Sequence, residues 1–240
     1  MNVFGIDFYQ GQQQDLIAEL IILSSAPFSY TVTANVNHIV LLDHDERFRQ
    51  AYQHARHRIC DSRVLFPLLQ RFKAEIAEPI PGSTLTRSMM LIAQDRRWPV
   101  TVLGCEEDVI ASLKINYPSV TFYHYNPPMG FIDNPAEVDR CVTFIQKHEA
   151  RMTVFSVGSP RQEILAAEVL KRGGATGVGI CAGASLAFLS GKIKRAPVWM
   201  QRLSLEWLHR LLTEPKRLTR RYAMDAYRIL PIIARQFRDR

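Results

Sequence analysis

"MTVFSVGSPRQEILAAEVLKRGGATGVGIC" spans residues 152–181. Its first seven residues form a short apolar, β-branched run that stops at Gly158, the signature of a buried strand. "SPRQEILAAEVLKRGG" follows, with apolar residues recurring at three- and four-residue steps up to a double glycine, which reads as a helix with a stop signal. "ATGVGIC" (175–181) is a second buried strand. Strand, helix and strand at this spacing make a βαβ unit, whose crossover places the two strands parallel.

The same alternation extends through the chain. "YTVTANV" (30–36), "HRICD" (57–61), "WPVTVLG" (98–104) and "VTFYHY" (120–125) read as further strands. "NHIVLLDHDERFRQAYQHA" (37–55), "EEDVIASLKINYP" (106–118) and "NPAEVDRCVTFIQKHEA" (134–150) read as helices, and "EPIPGSTLTRS" as a loop leading into a helix. The expected fold is α/β: a Rossmann-like, mainly parallel sheet flanked by helices.

In such a sheet ligands sit beyond the carboxyl ends of the strands, at the helix N-termini. Three glycine-bearing strand ends stand out. At Gly158, Ser159 reads as N-cap and Pro160 as the first helical residue; the turn is either a well-capped helix start or a cradle for phosphate or uracil. At Gly104 the acidic "CEED" follows, which would repel a phosphate. "GVGICAGAS" (177–185), with Gly183, allows close backbone approach, but it is out of register for GxGxxG and lacks the acidic residue about 20 positions on, against a nicotinamide-dependent oxidoreductase. Asp61 closes another strand, either as cap of the following helix or as a general base at the mouth of the sheet. Thr33 and Asn35 end the neighbouring strand, where turn chemistry is the plainer reading. Asp43-His44-Asp45 has the DxD spacing of metal-dependent sugar-nucleotide transferases. It falls within an amphipathic helix, where carboxylates two apart diverge, so a solvated helix face is expected. His54 and His57 read as surface residues, and Cys60, Cys105, Cys141 and Cys181 lack metal-ligand spacing.

Charge divides the chain in two. Residues 192–240 carry 13 Lys/Arg against 4 Asp/Glu, or +9; subtracting this from the chain's +7 leaves −2 for residues 1–191. The expected organisation is an α/β core over 1–191 and a basic, amphipathic helical tail over 192–240. No apolar run reaches the roughly 20 residues of a membrane span, and no secretory signal is seen, so a cytoplasmic protein is expected. A basic tail suits a polyanion or an anionic membrane surface. A nucleic-acid-binding protein, or another Rossmann-like nucleotide-binding protein, would explain the charge but not the polar strand ends.

"TANVNHI", "ICDS", "PGSTLT", "LGCEEDVI", "PPMGF", "VGSPRQE", "GASLAFLSGKIKRAP" and "LEWLHRLLTEPKRLTRRY", spread over residues 30–222, together resemble the WecG/TagA/CpsF family of bacterial glycosyltransferases (glycosyltransferase family 26). The resemblance implies an inverting, metal-independent transferase without cofactor, acting in cell-surface or exopolysaccharide synthesis. It would move a sugar from a nucleotide donor, usually UDP-linked, to a polyprenyl-diphosphate-linked acceptor. It implies Asp61 as base, with Thr33 and Asn35 beside it and Ser62 where the family usually has Gly. Gln162 would bind the donor, with Gly158, Ser159, Glu163, Gly104 and Gly183 around it. Arg210, Arg217 and Arg220 would bind the acceptor diphosphate; their spacing at i, i+7 and i+10 in a continuous helix would place them on one face. Trp199, Leu203, Trp207, Leu211 and Leu212 would supply the apolar surface of an interfacial helix at the inner face of the plasma membrane. No nucleic-acid partner is expected, and a homo-oligomer is compatible with this reading.

Overall fold

The structure is a computed structural model that describes residues 2–238. A short antiparallel ribbon, β1 (Asn2–Val3) and β2 (Ile6–Asp7), precedes helix α1 (Gln13–Leu23). The main sheet contains β3 (Ser29–Ala34), β4 (His57–Cys60), β5 (Pro99–Gly104), β6 (Thr121–Tyr125), β7 (Met152–Ser156) and β8 (Val178–Cys181). Their order is β4-β3-β8-β7-β5-β6, with every neighbouring pair parallel. The βαβ reading of residues 152–181 therefore holds: β7 and β8 lie side by side, joined by α8 (Arg161–Arg172).

Helices cover both faces, as parallel strands require. Against one face lie α2 (Val36–His44), α3 (Glu46–His54), α4 (Leu65–Arg71), α7 (Pro135–Lys147) and α8, burying among others Ile39, Phe48, Leu65, Val142 and Leu165. Against the other lie α1, α5 (Gly82–Asp95), α6 (Glu107–Asn116) and α9 (Ser185–Leu189), through Leu16, Leu85, Leu113 and Leu186. β3 thus runs into a helix on one face and its neighbour β8 into a helix on the other, which opens a crevice between their carboxyl ends.

The 37–55 segment differs from expectation. It is two helices, broken at Asp45, which ends α2 in an extended conformation and caps α3 by accepting the Phe48 N–H at 3.0 Å. Asp43 pairs with Arg235. The Asp43-His44-Asp45 triplet is therefore a helix junction whose carboxylates face different partners, rather than one solvated face.

The tail folds back on the core as α10 (Val198–Arg202), α11 (Glu206–Thr213) and α12 (Pro215–Arg238). α12 crosses α2: Asn37 donates to Asp225 at 2.9 Å, the Phe4 N–H donates to Gln236 at 2.8 Å, and the Phe72 and Phe237 rings sit 4.6 Å apart. Leu218, Ile229 and Ile232 are buried, the last two within the core cluster under α2.

Candidate active site

The residues singled out at strand ends fall along the carboxyl edge of the sheet. Asp61 continues β4, its N–H bonding to Ala34 O at 2.9 Å. Its carboxylate does not cap α4; Oδ1 accepts the N–H of Gly82, the first residue of α5, at 2.5 Å. The Ser62 hydroxyl takes the turn before α4, accepting from Val64 and Leu65. That gives Ser62 a structural task where the resemblance expects Gly. Thr33 is buried and donates to Cys181 O at 3.0 Å, tying β3 to β8. Asn35 caps α2 by accepting the His38 N–H. Gly82 was not anticipated as a site residue: a Cβ there would lie 2.9 Å from Thr33 Cγ2 and 3.5 Å from Asp61 Oδ1, so only glycine lets α5 start this close.

Burial pushes the Asp61 carboxyl up to about 6; Glu206 pushes in the same direction, while the Gly82 N–H and the Arg210 and Arg195 cations oppose it. A carboxylate poised there is ionised at neutral pH yet basic enough to take a proton. Arg195 reaches it from the tail: its Nε bonds Glu206 at 3.2 Å and its two terminal nitrogens lie 3.4 Å from Thr84 Oγ1, in the first turn of α5. Arg195 and Glu206 belong to the quoted "RAP" and "LEW" stretches but carried no assigned role. Nothing local links residues this far apart in sequence.

Further along the edge, the Ser156 hydroxyl donates to Gly183 O at 2.8 Å and Gln162 spans two loops. Gln162 Oε1 accepts the Gly183 N–H at 3.0 Å and its Nε2 donates to Glu163 Oε1 at 2.7 Å. Ser159 is not the N-cap of α8: the Ser159–Pro160 bond is cis, Pro160 takes the cap position, and the Ser159 hydroxyl turns inward, buried and without a hydrogen bond. Glu163 is fully buried, so it presents no atom to the cleft; Gln162 is 2% exposed.

Gly104 ends β5 opposite Ser156 with φ +92°. A Cβ there would sit 2.7 Å from Val157 Cγ1 and 2.8 Å from the Ser156 carbonyl carbon. Gly104→Ala adds backbone strain to a steric clash, so a loss of about 2–5 kcal/mol is expected by urea denaturation; an unchanged midpoint would mean that the strand end relaxes freely. Lys192 pairs with both Glu106 and Asp108, which offsets part of the negative charge after Gly104.

The three tail arginines do not share a helical face. α11 ends at Thr213 and α12 begins at Pro215, because proline fits the first turn of a helix but not its interior. Arg210 sits over the Phe188 ring, 6.0 Å from its centroid, and is the one of the three that acts electrostatically on Asp61. Arg217 pairs with Glu214 at 2.5 Å, and Arg220 is exposed.

The sequence matches, over residues 1–240, the family model described as "Glycosyl transferase WecG/TagA/CpsF family". The chain belongs to this family. It is a glycosyltransferase on an α/β scaffold with its polar residues at the strand ends. Among curated relatives, this glycosyltransferase is similar to the N-acetylglucosaminyldiphosphoundecaprenol N-acetyl-beta-D-mannosaminyltransferase of Staphylococcus aureus strain NCTC 8325 / PS 47, 26% identical over 227 residues covering 92% of this chain and 87% of the relative. The protein of the same name from strain MRSA252 is 26% identical over 229 residues, with the same coverage. Among the described residues, no helix of the glycosyltransferase is long and apolar enough to cross a membrane.

Proposed function

We propose that this glycosyltransferase moves a sugar from a nucleotide donor, UDP-linked, to a saccharide carried on a polyprenyl diphosphate, by a single inverting displacement with Asp61 as base. The observation that carries the reading is the half-buried Asp61 carboxyl at the sheet edge with Arg195 and Arg210 of the tail acting on it electrostatically. Asp61 would take the proton of the acceptor hydroxyl as that oxygen attacks the anomeric carbon and the nucleoside diphosphate leaves from the opposite side. Three strands separate Asp61 at the end of β4 from Gly104 on β5 along the sheet, which makes four interstrand spacings or about 19 Å. That length suits an extended nucleotide sugar better than a lone monosaccharide. Arginine forks match diphosphate oxygens bidentately, and the names of the S. aureus relatives carry an acceptor of this diphosphate-lipid class.

Trp199, Leu203, Trp207 and Leu212 are exposed beside the basic residues of the tail, which supports peripheral attachment to an anionic membrane surface, where a lipid-linked acceptor resides. Transfer is expected without a divalent cation, since Asp43 and Asp45 are engaged elsewhere and arginines and backbone N–H groups would stabilise the leaving diphosphate. The test is transfer from a panel of UDP-N-acetylhexosamines to a polyprenyl-diphosphate-linked N-acetylglucosamine, with and without EDTA. Product in both conditions is expected. No product with any donor would refute the transfer reaction, and activity lost in EDTA and restored by Mn²⁺ would refute metal independence.

A further inference from the structure

Two buried side-chain oxygens without a hydrogen bond, Ser159 Oγ and Glu163 Oε2, occur at the start of the same helix, with the Ser159 hydroxyl facing the Glu163 carboxyl. A buried polar atom left unpaired is costly, and two facing each other need an explanation. An ionised Glu163 would place a full negative charge in a fully buried site. The titratable groups that face it are the Tyr30 and Tyr52 hydroxyls from β3 and α3 and the Cys181 thiol from β8, each kept neutral by burial. The Ser159 hydroxyl proton can by itself join the two atoms; it is the full burial of Glu163, with no cation facing it among the described residues, that favours the neutral acid.

We propose that Glu163 is carried as a neutral carboxylic acid, its Oε2–H donating to Ser159 Oγ and its Oε1 accepting from Gln162 Nε2, which makes it a positioning residue for the loops bounding the cleft. The chain of contacts is then complete. Ser159 holds Glu163, Glu163 fixes which way the Gln162 amide points, and the correctly pointed amide accepts the Gly183 N–H. Reversing the amide would set its NH₂ against the Gly183 N–H and release the loop after β8. The Glu163 carboxyl thereby joins two strand-end loops through the Gln162 amide. Burial, the dominant cause, raises the Glu163 carboxyl to about 7 against the hydrogen bonds from Gln162 and Ser159, which act to lower it.

The sign of the pH dependence follows. The folded protein holds a proton that the unfolded chain releases above the ordinary glutamate value of 4.5, so this group's contribution to stability falls between about pH 4.5 and pH 7. Glu163→Gln removes the titration while keeping one acceptor and one donor in the same shape. Infrared difference spectra of the full chain at pH 6 are expected to show the C=O stretch of a protonated carboxylic acid in the wild type and its loss in E163Q. The pH-dependent loss of unfolding free energy between pH 4.5 and 7 should be smaller in E163Q. In transfer assays Glu163→Ala should raise the donor KM about tenfold or more, the usual effect of disrupting an outer-layer partner of a site group, and Glu163→Gln should recover most of that loss. Absence of the protonated-carboxyl band, or an unchanged pH dependence of unfolding, overturns the proposal. The effect on transfer rests on the proposed reaction, but the spectra and unfolding need no substrate, so failure of either can be told from failure of the other.

Discussion

Asp61→Asn is expected to lower turnover by roughly 10²–10⁴-fold, the usual share of general-base catalysis, while donor binding survives. Asparagine keeps the shape of the side chain, and its Oδ1 can still accept the Gly82 N–H, so the start of α5 should stay in place. What it loses is the ability to take a proton. In the wild type kcat/KM should rise with pH through an acidic limb near pH 6, where burial places the Asp61 carboxyl, because only the ionised form is a base. The stability effect has the opposite sign. A carboxyl raised from 3.8 to about 6 holds its proton longer when folded, so its contribution to stability falls as pH rises through that window. The asparagine variant should therefore unfold no earlier than wild type at pH 8. Near-normal turnover combined with a lower melting temperature would show instead that Asp61 only anchors α5.

Removal of the tail should abolish transfer to a lipid-linked acceptor and also compromise folding. Composition points to a separable appendage; the packing attaches a cost to separating it. Leu218, Ile229 and Ile232 are buried in the tail, and burial of each aliphatic side chain contributes about 1.5–3 kcal/mol. Together that is roughly 5–9 kcal/mol, comparable to the whole stability of an ordinary domain at about 5–15 kcal/mol. A chain cut before Lys192 should thus melt much earlier than the intact one, with Ile39, Leu42 and Phe72 newly exposed. The cleaner variant replaces Arg210, Arg217 and Arg220 by alanine in the full chain. It retains α12 on α2, and it should transfer at least about 100-fold more slowly if these side chains meet the diphosphate, since lost charged hydrogen bonds contribute about 1.5–3 kcal/mol each. Arg210 should account for most of the defect, being the one that acts on Asp61. Circular dichroism and melting would show whether the fold is kept. Wild-type transfer by a folded triple variant would remove the tail arginines from the active site.

The strands and most helices were legible because their determinants are local. The β-branched run of 152–156 and the three- and four-residue apolar steps of 161–172 reappear as β7 and α8. The exceptions were also local competitions. Asp45 as a cap divided the 37–55 segment, and Pro215 divided the tail, each prevailing over an apolar period that continues across it. The two-residue strands β1 and β2 are too short for any period to register.

The sequence by itself determined the order of strands and helices, the parallel sheet, the concentration of positive charge after residue 191, and the strand-end positions of Thr33, Asn35, Asp61, Gly104, Gly158 and Gly183. These follow from spacing along the chain, which the backbone converts directly into faces and ends. Only the tertiary structure decided what those positions do to one another. Asp61 meets Gly82 across 21 residues, and Arg195 meets Thr84 across 111; Glu163 is sealed behind Gln162, while Arg210 and Arg217 flank the same Glu214 carboxylate and Arg220 is exposed. A carboxyl's protonation and an arginine's reach depend on desolvation and on charges brought close by folding, and neither quantity exists until the chain has packed.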